Sequence, residues 1–116
     1  MVIKKKDGYP LQLNEKMRGG EGVVTVENLL TPAEMNDKGR LYAKLTLGPG
    51  SSIGYHVHEG EMESFFIVRG EARITDGNET VALLPGDTAL TPAGEGHSIR
   101  NSGESPLEII ALILYR

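Results

Sequence analysis

The chain contains no cysteine, and this absence removes two possibilities at once. A small secreted domain that depends on disulfides is excluded, and so is a metal site built on thiolates. A long hydrophobic run is also missing, because the longest apolar stretch, residues 107–115, includes Glu108 and is far too short to span a membrane. Residues 7–10 form a polar turn sequence where a signal peptide would have its apolar region. We therefore expect a soluble, cytoplasmic protein.

An excess of basic residues is missing as well. The net charge is −4 and the isoelectric point is near 5.3, whereas a protein that binds nucleic acid usually presents a basic face. The one basic run, Lys4 to Lys6, is followed directly by Asp7 and is typical of a solvated tail. The composition thus predicts neither a nucleic acid nor a membrane as a partner.

Glycine and proline divide the sequence into short segments with the character of strands. Residues 41–47 alternate apolar and mostly polar side chains, which is typical of a half-buried strand, and residues 76–78 predict a hairpin turn. The Thr-Pro-Ala-Glu sequence of residues 31–34 predicts one or two turns of helix. Many short strands favour an all-β jelly-roll barrel, formed as one domain by residues 1–116. The predicted strands are 23–26, 41–47, 64–68, 72–75, 79–84, 88–91, 97–101 and 107–114.

All three histidines lie in one two-part pattern. The first part, residues 50–70, reads Gly50-x5-His56-x-His58-x4-Glu63-x6-Gly70. The second part, residues 86–101, reads Gly86-x5-Pro92-x-Gly94-x2-His97-x3-Asn101. Three imidazoles and one carboxylate are a ligand set that a divalent transition metal accepts where no thiolate is present. The pattern therefore predicts a metal site.

The spacing indicates how the ligands converge. Side chains at positions i and i+2 of a strand share a face, so His56 and His58 are expected to lie side by side. Glu63 begins an apolar strand, where an unpaired charge would be costly and a cation would compensate it. His97 closes the site from a distant strand. Glu59 and Glu61 also lie between His58 and the next strand, and they remain alternatives to Glu63 as the fourth ligand.

The two-part pattern resembles the paired motifs of the cupin superfamily, and the resemblance covers residues 50–101. It implies a cupin-type jelly-roll β-barrel with His56, His58, Glu63 and His97 as ligands of one Mn, Fe, Ni, Co or Zn ion. It also implies a homodimer, to which an N-terminal arm, residues 1–22, can contribute by crossing to the partner subunit.

The resemblance leaves the reaction open, because cupins include enzymes of several kinds as well as binding modules. The first hypothesis is a metalloenzyme of the dioxygenase, decarboxylase or isomerase type that acts on a small oxygenated metabolite. The second is a non-catalytic module that binds or senses a small molecule or sugar. No residue is assigned as the acid or base, although Tyr55, Glu61 and Glu95 lie near the motif residues. A third class, an interaction protein, rests on the apolar strand 108–114, which is expected to be buried on both faces.

Overall fold

The fold consists of two antiparallel sheets that face each other across one core, as described by a computed structural model of all 116 residues. The six-stranded sheet has the strand order β1-β2-β3-β10-β5-β8, and the four-stranded sheet has the order β4-β9-β6-β7. The predicted all-β jelly roll is therefore confirmed. The strands are β1 (Leu11–Glu15), β2 (Val23–Leu30), β3 (Gly39–Leu47), β4 (Ser52–Val57), β5 (Glu61–Arg69), β6 (Ala72–Asp76), β7 (Glu79–Leu83), β8 (Thr88–Thr91), β9 (Gly96–Asn101) and β10 (Leu107–Tyr115).

The core lies between the two sheets and follows from the two-residue period of the strands. In β10, which pairs with both β3 and β5, the odd-numbered residues from Leu107 to Ile113 are buried. They pack with inward-facing residues such as Phe65 and Ile67 of β5. The even-numbered Ile110 and Leu112 are only half buried in the single chain, so the expectation that β10 is buried on both faces is wrong for the chain alone. The homodimer stays a prediction.

The N-terminal residues are built into the fold. Residues 11–15 form β1, which pairs with β2 at the edge of the six-stranded sheet and was not predicted as a strand. A short 3-10 turn at Met17–Gly19 follows and packs against β4. The alternating Leu-Gln-Leu-Asn sequence of β1 was the signal for this strand, although its leucines are exposed.

The predicted helix at residues 31–35 is wrong. Its capping box does form, because the Thr31 N–H donates to Glu34 Oε1 at 2.8 Å and the Glu34 N–H donates to Thr31 Oγ1 at 3.2 Å. The chain then leaves the helical region, since Asn36 and Asp37 have φ values of 55° and 56°. The segment is consequently a series of turns rather than a helix. None of the helices is long and apolar enough to cross a membrane.

Candidate metal centre

A β-bulge in β4 turns the two neighbouring histidines into the core. Ile53 pairs with Ile99 of β9 and His56 pairs with His97, so β4 uses three residue steps where β9 uses two. One extra residue of this kind reverses which side chains face inward. Ile53 is buried on the inner face before the bulge, whereas His56 and His58 face inward after it and Tyr55 is exposed.

His58 lies just beyond the end of β4 and is held by the loop that leads into β9. Its backbone N–H donates to the carbonyl of Glu95 at 3.0 Å, and its carbonyl accepts from the N–H of Gly94 at 2.7 Å. The ring of His97 stacks on Phe65 with a centroid separation of 5.0 Å and an interplanar angle of 7°. Hydrogen bonds therefore hold the main chain of His58, and stacking on Phe65 positions the ring of His97.

Glu63 is supplied by β5, two residues after the strand begins at Glu61 and therefore two residues further into it than expected. Its side chain faces inward with Phe65, and the residue is only 4% exposed. A carboxylate buried to this extent needs positive charge or hydrogen-bond donors beside it.

The four predicted ligands converge on one point. The His58 Nε2 atom lies 3.0 Å from His56 Nε2 and 3.1 Å from His97 Nε2, and the latter two atoms are 3.2 Å apart. Oε1 of Glu63 lies 2.8 Å from His58 Nε2, 2.9 Å from His97 Nε2 and 3.9 Å from His56 Nε2. These residues together could hold a metal ion.

Each imidazole has a partner on its other ring nitrogen. Nδ1 of His56 donates to the carbonyl of Gly54 at 2.8 Å, and Nδ1 of His58 donates to Oε1 of Glu61 at 3.1 Å. Nδ1 of His97 lies 2.7 Å from the hydroxyl of Thr91, which is directly opposite Glu63 in the β5–β8 pair. Because a carbonyl and a carboxylate only accept hydrogen bonds, Nδ1 of His56 and of His58 carries the hydrogen, and Nε2 is left as an acceptor in the neutral ring. Sequence reasoning expected such partners but did not identify them.

The arrangement needs a cation. Burial acts to raise the pKa of Glu63, but in the absence of a metal the hydrogen bonds and positive charge that His56, His97 and His58 provide when their rings are protonated outweigh it and lower the pKa to about 2. Glu63 is therefore ionised at neutral pH. Nε2 acceptors and a carboxylate at about 3 Å repel one another unless protons or a metal ion lie among them.

The donor separations fit a six-coordinate ion. Two donors at adjacent positions of such an ion, each about 2.1 Å from it, are about 3.0 Å apart. Five of the six separations are 2.8 to 3.2 Å, and only the His56–Glu63 separation, 3.9 Å, is wider. The residues present thus fit the metal that the sequence predicted, with two of six positions left for water or a ligand.

Glu61, one of the two alternative ligands, contacts the site through the Nδ1 atom of His58. Its carboxylate accepts from His58 Nδ1 and forms a two-point ion pair with Arg40, whose Nε and Nη2 atoms lie 2.9 Å and 2.7 Å from its oxygens. The hydrogen bond from Arg40 is the main cause that lowers the pKa of Glu61. Glu59, the other alternative, is exposed and makes no side-chain hydrogen bond or salt bridge.

A cavity of about 170 Å³ is lined by three of the four donor residues, His56, His58 and Glu63. Its walls are formed by apolar core residues on one side and by the N-terminal segment on the other. Tyr55 and Glu95, the other candidates near the motif, do not line it, and Tyr55 packs over Gly96 on the outer face of β4. Sequence reasoning missed the polar residues that do line the cavity, because they lie outside the two-part pattern. These are Gln12, Asn14, Arg18 and Arg40.

Comparison with known proteins agrees with this geometry. A family model described as "Cupin domain" matches residues 43–113. An oxalate-binding protein of Thermotoga maritima is 41% identical over 114 residues, which cover 98% of this chain and 93% of that protein. A crystal structure described as a predicted oxalate decarboxylase from Thermotoga maritima has a TM-score of 0.95 and 40% identity, with 100% of both chains covered. A xanthan biosynthesis protein of Xanthomonas campestris is 31% identical over 67 residues, which are 58% of this chain but only 14% of that protein.

Proposed function

Because the chain belongs to the cupin family, we propose that it binds a small dicarboxylate such as oxalate at a divalent transition metal held by His56, His58, Glu63 and His97. The observation that carries the proposal is the convergence of four donor atoms, all within 4.8 Å of one another, beside a small cavity that three of the four residues line. The relative named for oxalate binding, at 41% identity over nearly the whole chain, supports the choice of ligand.

The size of the cavity limits the ligand. Its volume of about 170 Å³ is close to that of an engineered cavity of about 150 Å³ that accommodates benzene. A compact acid with two oxygens that can bind a metal fits this space.

The residues of the chain perform three tasks in this proposal. The Nδ1 partners Gly54, Glu61 and Thr91 orient the imidazoles so that the three Nε2 atoms point toward one another. Apolar residues such as Phe65 and Ile53 exclude water, which strengthens electrostatic attraction between the ligand and the site. When bound, the metal supplies a Lewis acid with two positions for oxygen donors. Mn, Fe, Co, Ni and Zn all accept this donor set.

A metalloenzyme is the second candidate, and the two coordination positions left by four donors favour it. Decarboxylation and isomerisation also need a group that transfers a proton. The lining of the cavity contains no carboxyl group other than Glu63, and no Tyr, Ser, Thr, Lys or Cys. Glu63 is itself one of the four converging donors, so the lining favours binding, or a metal reaction that needs no acid or base from the protein.

The test combines metal analysis with calorimetry. The full chain, loaded with one equivalent of Mn²⁺, is titrated with oxalate, and formate, CO₂ release and O₂ uptake are recorded in the same samples. Saturable binding that is lost in His56→Ala and His97→Ala is the expected result. Product formation in the wild type would establish the enzyme, and loaded protein that binds no oxalate would refute the proposal.

A further inference from the structure

The N-terminal turn at residues 16–20 forms part of the cavity wall beside the candidate metal centre. It brings Met17 and Arg18 to the same cavity as His56, His58 and Glu63. We propose that Arg18 on this turn is a specificity-determining residue that selects a small dianion by binding its outer carboxylate oxygens. This inference rests on the proposed function, because it concerns the ligand of the same site.

The turn is held firmly in place. Lys16 and Arg18 have left-handed φ values of 48° and 55°, a conformation that residues other than glycine rarely adopt. Gly54 lies directly under the Arg18 carbonyl, and a Cβ atom at position 54 would collide with that backbone. Gly20 packs in the same way against the carbonyl of Ser52. Since a strained backbone persists only where its surroundings hold it, Arg18 is placed by the fold and not by chance.

The turn is coupled directly to a metal-binding side chain. Gly54, which supports Arg18, also provides the carbonyl that accepts the hydrogen bond from His56 Nδ1 at 2.8 Å. One residue therefore contacts both the backbone of Arg18 and the ring of a candidate ligand.

Arg18 is the arginine of the cavity that has no acidic partner. Arg40, the other one, is neutralised by its two-point ion pair with Glu61. Arg18 makes no salt bridge and its side chain makes no hydrogen bond within the chain. A guanidinium with its donors free matches a carboxylate, which accepts two parallel hydrogen bonds from it.

The charges near the cavity favour a dianion. A divalent metal held by one carboxylate ligand carries one net positive charge, and Arg18 adds a second, while Arg40 and Glu61 form an ion pair and cancel each other. A ligand with two negative charges balances this total, with one carboxylate at the metal and the other beside Arg18, which lines the cavity and is exposed. A neutral diketone or sugar leaves the positive charge of Arg18 uncompensated.

The experiment separates recognition by Arg18 from metal binding. The full chain is loaded with Co²⁺, whose visible absorption changes when a ligand coordinates, and Kd is measured by calorimetry for oxalate and for acetohydroxamate. Acetohydroxamate also binds a metal through two oxygens, but it presents a methyl group in place of charged oxygens. The variants are Arg18→Gln and Arg18→Lys, with Arg73→Gln as the control, because Arg73 is exposed and outside this cavity.

In Arg18→Gln, we expect oxalate to bind ~10- to 100-fold more weakly, as for the loss of a hydrogen bond to a charged group. Acetohydroxamate affinity and Co²⁺ content should be unchanged, Arg18→Lys should be intermediate because lysine lacks the planar fork, and Arg73→Gln should match the wild type. Equal loss for both probes, or no loss for either, would overturn the role of Arg18 while leaving the metal site intact. Wild-type protein that binds no oxalate would overturn the proposed function itself.

Discussion

The hydrogen bond from His58 to Glu61 allows a quantitative prediction about metal affinity. Nδ1 of His58 donates to the Glu61 carboxylate at 3.1 Å, His58 is buried, and the Glu61 side chain is 12% exposed. Glu61→Gln keeps an oxygen acceptor but removes its charge. A hydrogen bond to a charged group contributes ~1.5–3 kcal/mol and a neutral one ~0.5–1.5 kcal/mol, so the change costs about 1–1.5 kcal/mol. We therefore expect metal to bind roughly five- to tenfold more weakly.

Two further substitutions show how large and how small the loss of metal affinity is expected to be. Glu61→Ala leaves the buried N–H of His58 without a partner, and the loss of metal affinity should approach ~100-fold. Loss of the Arg40 ion pair adds little, because the Arg40 side chain is 42% exposed and such pairs contribute ~0–1 kcal/mol to stability. Glu59→Gln is the matched control, since Glu59 lies in the same connection and is exposed.

The assay is competition for Zn²⁺ between each protein and a chromophoric chelator, with circular dichroism to confirm that each variant folds. The expected order of loss is Glu63→Gln, then Glu61→Gln, with Glu59→Gln equal to the wild type. Wild-type affinity in Glu61→Gln would refute the reasoning about His58. An effect of Glu59→Gln as large as that of Glu63→Gln would mean that the fourth ligand has been misassigned.

Three further predictions concern stability. Thr91→Val removes the buried hydroxyl that lies 2.7 Å from His97 Nδ1, and it should lower the free energy of unfolding in urea by about 1–2 kcal/mol, whereas Thr91→Ser should not. Gly54→Ala should lower the melting temperature more than Gly77→Ala, because a Cβ atom at position 54 would collide with the Arg18 carbonyl. Gly77 has φ 61° but open space around it, so an alanine there loses only the ~1–2 kcal/mol of a left-handed conformation. Equal shifts in melting temperature would contradict the packing described for residues 16–20. Free metal at ~100 times its Kd should stabilise the chain by ~2.7 kcal/mol, so a chelator should lower the melting temperature in calorimetry. An unchanged transition after confirmed metal removal would contradict the coupling of metal binding to folding.

The convergence of the four candidate ligands was predictable from the sequence because it depends on local spacing. His56 and His58 are two residues apart, and a strand of any sheet places such a pair on one face. The burial of Glu63 was equally visible, since it lies in a strand with Phe65 and Ile67. Glycine and proline marked the turns, and most of the strands were predicted from the segments between these turns.

The remaining features depend on contacts between distant segments, which spacing does not encode. Glu61 was considered as a ligand, but only its proximity to Arg40, a residue 21 positions away, turns it into a partner of His58 instead. Arg18 was assigned to an N-terminal arm, residues 1–22, that can cross to a partner subunit, whereas within the chain Gly20 is buried against β4 and Arg18 lines the cavity. The failed helix at residues 31–35 shows the reverse case, in which a correct local cap is followed by residues that leave the helical conformation.

The bulge in β4 makes the site depend on chain length as well as on residue identity. The extra residue between Ile53 and His56 allows isoleucine and histidine to share the inner face although they are an odd number of positions apart. Deletion of one residue there would preserve all four candidate ligands and yet direct His56 and His58 toward solvent. A relative with such a deletion would retain every histidine and carboxylate of the site but would lose the site itself. A related protein can therefore form this metal site only if it also keeps the extra residue of the β4 bulge. A comparison of the ligand residues alone does not detect that residue.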